Sequence, residues 1–431
     1  MAKKQNEVKI CLWTHVQNEA PVIRKMLESA VDYIDYWVLV DNGSTDGTQD
    51  IIKDFFKEHN VEGKLYQSEI GWKGHGINRQ HSWEFLENTD HGCDYILRID
   101  ADEGIKVADD FDWSLIPTQE AWSVIYQAGG HVVPRMWLWK WGLPWYWADD
   151  VAHETIHLKD GRVPDSPNLP ISFKHISLGG GNSYSNPIKY IQDILKLENQ
   201  LHERFRDGSD LEKERYHMFY LCKSFNYTGY SLDNEWCHKF FPYGKEQLKN
   251  FLERGIFYYD QLLNRFGEEW YTYYLKAQLL ERLNRREEAK ETYEKSYSLR
   301  PDRGEALYAL FFMYYNDQNW EKAFQHGFTL RHLKCPVETD PWQVELMAYF
   351  ENNWRLRDAI AVVIQRMGSK IRNVELLKEG KSIFKSLMVE IEKDNQFPNR
   401  SNQLTRLKGN LKYINDELQN IIHKRRTTKY K

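Results

Sequence analysis

From Val8 to Ile99 the apolar residues fall into short unbroken runs, separated by stretches with a helical spacing. Val8-Lys9-Ile10-Cys11-Leu12-Trp13 is a β-rich run ending near Thr14. Tyr36-Trp37-Val38-Leu39-Val40 is continuously apolar, as suits a strand covered on both faces. A third run, Tyr95 to Ile99, ends in Asp100-Ala101-Asp102-Glu103. Between the first two, Pro21 precedes apolar residues at Val22, Ile23, Met26, Leu27, Ala30 and Val31, which predicts a helix. The second run stops at a turn and N-cap cluster, Asp41 to Thr48, and a further helix is expected from Gln49 to Glu58. Strands and helices alternating at this spacing predict a parallel sheet of βαβ units, an α/β domain.

Residues 121–185 are rich in β-branched and aromatic residues with glycine turns, and read as irregular mixed strands completing that domain. After Asn186-Pro187 the pattern changes: Pro187 to Phe205 reads as a helix, and from Glu212 onward little strand signal remains. Tyr273, Ala277, Leu280, Ala289, Tyr293, Ser296 and Pro301 fall at the offsets of a 34-residue helix-turn-helix repeat. Arg286-Glu287-Glu288-Ala289 recurs as Trp320-Glu321-Lys322-Ala323 and again as Arg357-Asp358-Ala359, the alanines 34 and then 36 residues apart. Such units bury their apolar faces against neighbours, so a short all-α solenoid is expected. The expected divisions are 1–186 for the α/β domain and 187–267 for a helical connector with a degenerate repeat. Residues 268–370 are expected to hold the repeats, and 371–431 to form C-terminal helices with a basic tail.

At 431 residues the chain exceeds what one core supports, which agrees with several domains. A hydrophobic share of 41% against 28% charged residues excludes extended disorder. The net charge of −5 argues against a surface given over to nucleic acid. The tail departs from that average, with nine Lys/Arg after Asn395 against Asp416 and Glu417; this is most often a solvated helix end, though an anionic partner stays open. Cys11, Cys93, Cys222, Cys237 and Cys335 are scattered without a CxxC pair and suit a reducing compartment. The apolar run after Met1 is too short for a signal peptide, and no 18-residue apolar stretch occurs. The expectation is therefore a cytoplasmic protein with no membrane span.

Both acidic loops follow predicted parallel strands, so they should share the carboxyl edge of one sheet, where open α/β folds bind ligands. An N-cap explains Thr45 or Asp46 but not Asp41. Asp100-Ala101-Asp102-Glu103 has the makings of a divalent-cation site. Three acids within four residues repel one another unless a cation or a base is present, and Mg²⁺ or Mn²⁺ takes few carboxylates plus diphosphate oxygens.

These motifs, with Asn18-Glu19-Ala20-Pro21, Gly76-Ile77-Asn78-Arg79, Val151-Ala152-His153-Glu154 and His175, resemble a family-2 glycosyltransferase of the GT-A fold. The pattern is similar to the branch in which that Rossmann-like nucleotide-sugar domain precedes tetratricopeptide repeats. The resemblance covers most of residues 8–330. It implies a transferase that moves a hexose or N-acetylhexosamine from a nucleotide-sugar, UDP-linked by expectation, to an acceptor hydroxyl with inversion. Thr14, His15, Glu19 and Asp41 would hold base and ribose, and Arg79 would lie near the phosphates. Asp100 would contact ribose or metal, Asp102 would ligate Mn²⁺ or Mg²⁺, and His175 would be a further metal or diphosphate ligand. Glu154, beside His153, would be the general base. A cation and Arg79 would stabilise the leaving diphosphate, while a carboxylate takes the acceptor proton.

Blander readings accompany these. His175 can be a satisfied structural histidine, Glu154 can pair with Arg135, and Arg79 can pair with Glu84 or Asp102. Trp137, Trp139 and Trp141 alternate and read as core, whereas Trp145 and Trp147 read as candidates for an acceptor wall. The acceptor classes left open are a glycan, a protein or a modified nucleic acid, and the repeats suggest a protein partner. The alternatives are a non-catalytic repeat scaffold with a decayed transferase domain, and a nucleotidyltransferase. The second is disfavoured because Thr14 to Ala20 has neither glycine nor Lys/Arg.

Overall fold

The structure, a computed structural model, describes residues 8–71, 73, 75–128, 130–147, 156–179, 189–204, 211–229, 244–337 and 343–428. The chain divides into two compact units, Met1–Gly267 with Val337–Val344, and Glu268–Pro336 with Glu345–Lys431. Among the described residues no helix is long and apolar enough to cross a membrane.

The first unit is built on a mixed sheet. Its elements are β1 (Ile10–Val16), α1 (Ile23–Ala30), β2 (Tyr36–Asp41), α2 (Thr48–His59), β3 (Gly63–Gln67), α3 (His75–Glu87) and β4 (Tyr95–Arg98). There follow β5 (Glu103–Val107), β6 (Ala121–Ala128), β7 (His131–Lys140), β8 (Trp145–Trp147), β9 (Ile156–Leu158) and β10 (Phe173–Ser177). The strand order is β3-β2-β1-β4-β7-β6-β10-β5, with β8 and β9 as a separate pair. β3, β2, β1 and β4 are parallel, as the alternating pattern predicts, and β1 is buried along nearly its whole length. The other half departs from a purely parallel sheet, because β7 runs antiparallel to β4 and β6, and β5 runs antiparallel to β10. The carboxyl ends of β1, β2 and β4 and the amino half of β7 therefore meet at one edge.

Two local features set this sheet. β7 carries one extra residue: Trp122 pairs with Leu138 and Ser123 with Met136, leaving Trp137 as a bulge. At the outer edge, Gly63 of β3 leaves room for the Trp37 ring, since a Cβ there would fall 2.3 Å from it. That ring is pinned, stacked 4.1 Å from Phe56 and donating to the Val61 carbonyl at 3.1 Å. Gly63→Ala should therefore lower stability by about 1–3 kcal/mol, read as a lower midpoint in chemical denaturation. The unit is completed by α4 (Lys189–Arg204), α5 (Leu211–Gly229) and α6 (Gly244–Phe266), α5 packing against both α4 and α6.

The second unit contains α7 (Trp270–Arg282), α8 (Arg286–Leu299), α9 (Glu305–Asn316), α10 (Trp320–His332), α11 (Trp354–Lys370), α12 (Val374–Lys393) and α13 (Arg400–Thr428). α7 packs on α8 and α9 on α10. Ala277 and Ala289 are fully buried, and Ser296 Oγ donates to the Trp270 carbonyl at 2.8 Å. Asn319 caps α10 and Asn353 caps α11, thirty-four residues apart, so the period read from the first two alanines continues at the caps. The third phrase, Arg357-Asp358-Ala359, lies near the start of α11, after 3₁₀ turns at Leu346–Ala348 and Phe350–Asn352.

Within this unit lies a buried ionic knot. Arg303 and Glu305 are about 1% and 0% exposed and form a bidentate pair at 2.6 and 3.1 Å. The Tyr349 hydroxyl and the Glu345 amide also donate to Glu305, at 3.3 and 3.2 Å. The Arg303 guanidinium lies 4.5 Å from the Trp270 ring centre.

Candidate functional site

The loops after β1 and β2 are laced together. Asn18, at a φ of +55°, accepts from the Thr45 amide at 2.9 Å and donates its own amide to Ser44 Oγ at 2.8 Å. The Glu19 amide donates to Thr48 Oγ1 at 2.9 Å and the Ala20 amide to Asp46 at 3.0 Å. Asp46 in turn accepts from the Thr48 amide at the start of α2. Asp41 has a different task. It is fully buried at the end of β2, and one carboxylate oxygen accepts from Gly43 N, Ser44 N and Gln49 Nε2 at 3.1, 3.0 and 2.8 Å. Its other oxygen is buried without a hydrogen-bond partner. Asn78 of α3 donates to the Asn42 side chain at 2.9 Å, tying a third segment to this loop.

The acidic loop after β4 lies beside this lacing. Asp100 is clamped by Arg98 Nη2 at 2.6 Å and by Arg79 Nη2 at 3.4 Å. Burial opposes ionisation, yet Arg98, then Arg79 and His15, hold Asp100 well below the usual carboxylate range. Arg79 is buried, and burial followed by the neighbouring Arg98 charge lowers it to about 9. Asp102 has no side-chain partner among the described residues; burial, then Glu103 and Asp100, push it up to about 6. Glu19 is pushed up to about 7 by burial, then by Asp102, Asp46 and Asp100, which places it beside the acidic loop. Thr14 is buried and donates to the His15 carbonyl at 3.4 Å. Thus Asp41, Glu19, His15, Arg79, Asp100 and Asp102 share one edge of the sheet.

His175 lies one layer further in. Its ring is fully buried, 4.4 Å from the Trp137 ring centre, with Nδ1 3.9 Å from Glu103. Burial, then Arg135 and Arg98, depress it well below its usual value, and neither ring nitrogen has a hydrogen-bond partner. It is a neutral imidazole behind Glu103, whose carboxyl pairs with Arg135 at 3.0 Å and is raised to about 7, chiefly by burial. Arg135 is therefore committed to Glu103. Glu154 and His153 lie outside the described residues.

The tryptophans differ from the sequence expectation. Trp145 and Trp147 do not form an open wall: Trp145 is fully buried with its indole donating to the Lys140 carbonyl, and Trp147 is 3% exposed. The Trp147 ring underlies both guanidiniums, 5.3 Å from Arg79 and from Arg98. Trp139 and Trp141 pack on Trp83, as alternation predicts, but the bulged Trp137 instead meets His175, Arg98 and Arg135. Sequence reasoning passed over Arg98 and Asn78 as site residues. The signal for Arg98 was an arginine inside an apolar strand run immediately before the acids.

Comparison with known proteins agrees with this geometry. Residues 14–106 match the family described as Glycosyl transferase family 2, and residues 271–303 match the tetratricopeptide repeat. The N-terminal part is a family-2 glycosyltransferase domain, and a tetratricopeptide repeat lies in the C-terminal part. Among solved structures, S. aureus TarS 1-349 is 14% identical, over 67% of this chain and 92% of that one, with a TM-score of 0.35. A tetratricopeptide repeat protein from Parabacteroides merdae is 16% identical over 55% of this chain and 93% of its own, at 0.23. Yeast Tom70 is 13% identical over 57% and 56%, at 0.28. At such TM-scores these likenesses carry nothing further about function. No curated protein matches the chain.

Proposed function

We propose that the N-terminal domain transfers a sugar from a UDP-sugar to an acceptor hydroxyl with a divalent cation. What carries the reading is Asp41: a fully buried carboxylate with one oxygen unpartnered, beside an acidic loop in a family-2 domain. That oxygen suits the N–H of a uracil ring, since a buried acceptor left unmade is costly. Thr14, His15 and Glu19 would line the base and ribose. Arg79 and Arg98, each 5.3 Å from the Trp147 ring centre, would offer positive charge to the diphosphate.

The residues present fit Mn²⁺ or Mg²⁺. Among the described residues Asp102 has no side-chain partner, and it and Glu19 are pushed toward protonation by burial and by neighbouring acids, a charge excess that a hard cation relieves. Among the described residues no group of three or more His, Cys, Asp or Glu is placed to enclose a metal; the ion proposed would take few protein carboxylates plus diphosphate oxygens and water. Asp102 would hold it with Asp100, whereas His175, expected as a further ligand, is buried behind Glu103 and is not grouped with them. When bound, such an ion supplies Lewis-acid stabilisation of the leaving diphosphate. Glu154 would take the acceptor proton with His153 beside it, giving inversion in one displacement. The acceptor classes remain a glycan, a protein or a modified nucleic acid, with the repeats as a site for a protein partner. Four cysteines that are free in the structure suit action in the cytoplasm.

The test is nucleotide release from a panel of UDP- and GDP-sugars with Mn²⁺, with and without EDTA. The expected result is slow, EDTA-sensitive release of UDP from one donor. No release from any donor, together with no thermal shift on adding UDP and Mn²⁺, would overturn the reading in favour of a repeat scaffold. Asp41→Ala should weaken UDP binding by about tenfold to a hundredfold, read by titration calorimetry, because one hydrogen bond to a charged group is removed.

A further inference from the structure

Helix α5 sets Tyr216, Phe219, Tyr220, Lys223 and Tyr227 at three- and four-residue steps, so they share a face. The Lys223 ammonium lies 6.0 Å from the Phe219 ring centre and 5.8 Å from those of Tyr220 and Tyr227. Its hydrogen bond is to Gln343 Oε1 at 3.4 Å, and the Gln343 amide meets His131 Nδ1 at 3.1 Å. Among the described residues no carboxylate pairs with Lys223. Burial, then the charge of Arg135, lower it to about 8, and burial followed by Lys223 lowers His131. The charge of Arg135 acts on Lys223 and Tyr220, and its guanidinium bonds Glu103 at 3.0 Å, which puts this place near the acidic loop.

A half-buried ammonium among aromatic rings loses hydration that neutral partners only partly replace. Packing alone does not call for a charge here, because a methionine fills such a place as well. What the arrangement lacks, among the described residues, is an anion. Tyr190 stacks on Tyr227 at 4.8 Å, and the tyrosine rings of this face are amphipathic surfaces of the kind that bind a sugar ring. We propose that Lys223, with Tyr220, Tyr227 and His131, forms a subsite for the anionic group of a charged sugar acceptor, a phosphate or a carboxylate. This rests on the transferase reading above, which supplies the reason for an acceptor to lie beside the acidic loop. Lys223 is here a specificity-determining residue: it holds the acceptor and takes no part in bond making.

The experiment uses the full chain without nucleotide and measures binding of glucose 6-phosphate, glucuronate and glucose by ligand-observed NMR. The two charged sugars separate phosphate from carboxylate recognition, and glucose reports the aromatic faces alone. The expected result is that at least one charged sugar binds about tenfold more tightly than glucose and is displaced by inorganic phosphate. That preference should disappear in Lys223→Met and persist in Lys223→Arg, which also shows that the helix tolerates change at this position. Equal binding of charged and uncharged sugars, binding of none, or an undiminished preference in Lys223→Met would overturn the proposal. UDP release by the wild-type chain is scored separately. Charged-sugar binding with neither nucleotide release from any donor nor a thermal shift on adding UDP and Mn²⁺ would sink the transferase reading and leave the subsite, whereas release without charge preference would do the reverse.

Discussion

Asp102→Asn is expected to reduce metal-dependent UDP release by about a thousandfold or more, with the melting temperature unchanged or raised. The sign of the second effect follows from the loop itself. Burial, then the charges of Glu103 and Asp100, push the Asp102 carboxyl up to about 6, and Arg135, which is paired with Glu103, offsets this only in part. Removing that charge relieves repulsion in the ligand-free protein, so stability should not fall. Activity should collapse for the same reason: an amide is a poor ligand for a hard cation, and electrostatic support of a leaving group is worth several kcal/mol. Release rates, calorimetric Mn²⁺ binding in the presence of UDP and a melting curve would check all three parts. Retained activity would remove Asp102 from the metal site.

Glu305→Ala should destabilise the repeat unit by about 3–5 kcal/mol, because it leaves the Arg303 guanidinium buried without its bidentate carboxylate. It also strips an acceptor from the Tyr349 hydroxyl and the Glu345 amide. The loss should exceed that of any single surface pair in the unit, such as Lys370 with Glu321, where both side chains are more than half exposed. Replacing both partners, as Arg303→Met with Glu305→Leu, should recover part of the loss, since a buried pair is often no better than well-packed apolar residues. Chemical denaturation of the two variants would measure this, and equal loss in both would contradict the argument.

The fold was legible where burial is simple. Tyr36–Val40 is covered on both faces, so its uniform apolarity reports a central parallel strand, and the alanines of the repeats are buried where the helices pack together. β3 was not legible: it lies at the sheet edge with half-buried and exposed residues, and only Leu65 and Tyr66 hint at a strand. The antiparallel half of the sheet was hidden for another reason. Pairing direction is a property of the connections, and the stretches from β5 to β6 and from β7 to β10 are long and without a regular apolar period in the sequence. At the site, Asp41 could be singled out because no capping role explained it. Arg98 was missed because a strand arginine reads as a snorkelling surface residue until the Asp100 and Trp147 contacts are seen.

The extra residue in β7 has a consequence for how this edge can change in descent. Deleting Trp137 would leave Met136 opposite Ser123 and Leu138 opposite Trp122, so β7 would pair regularly with β6 and its other side chains would keep their faces. What would go is the ring that meets His175, Arg98 and Arg135. A residue lost elsewhere in the amino half of β7 would instead slip the register and turn side chains over. Descendants of this gene should therefore tolerate a shorter β7 at the bulge more readily than at any neighbouring position.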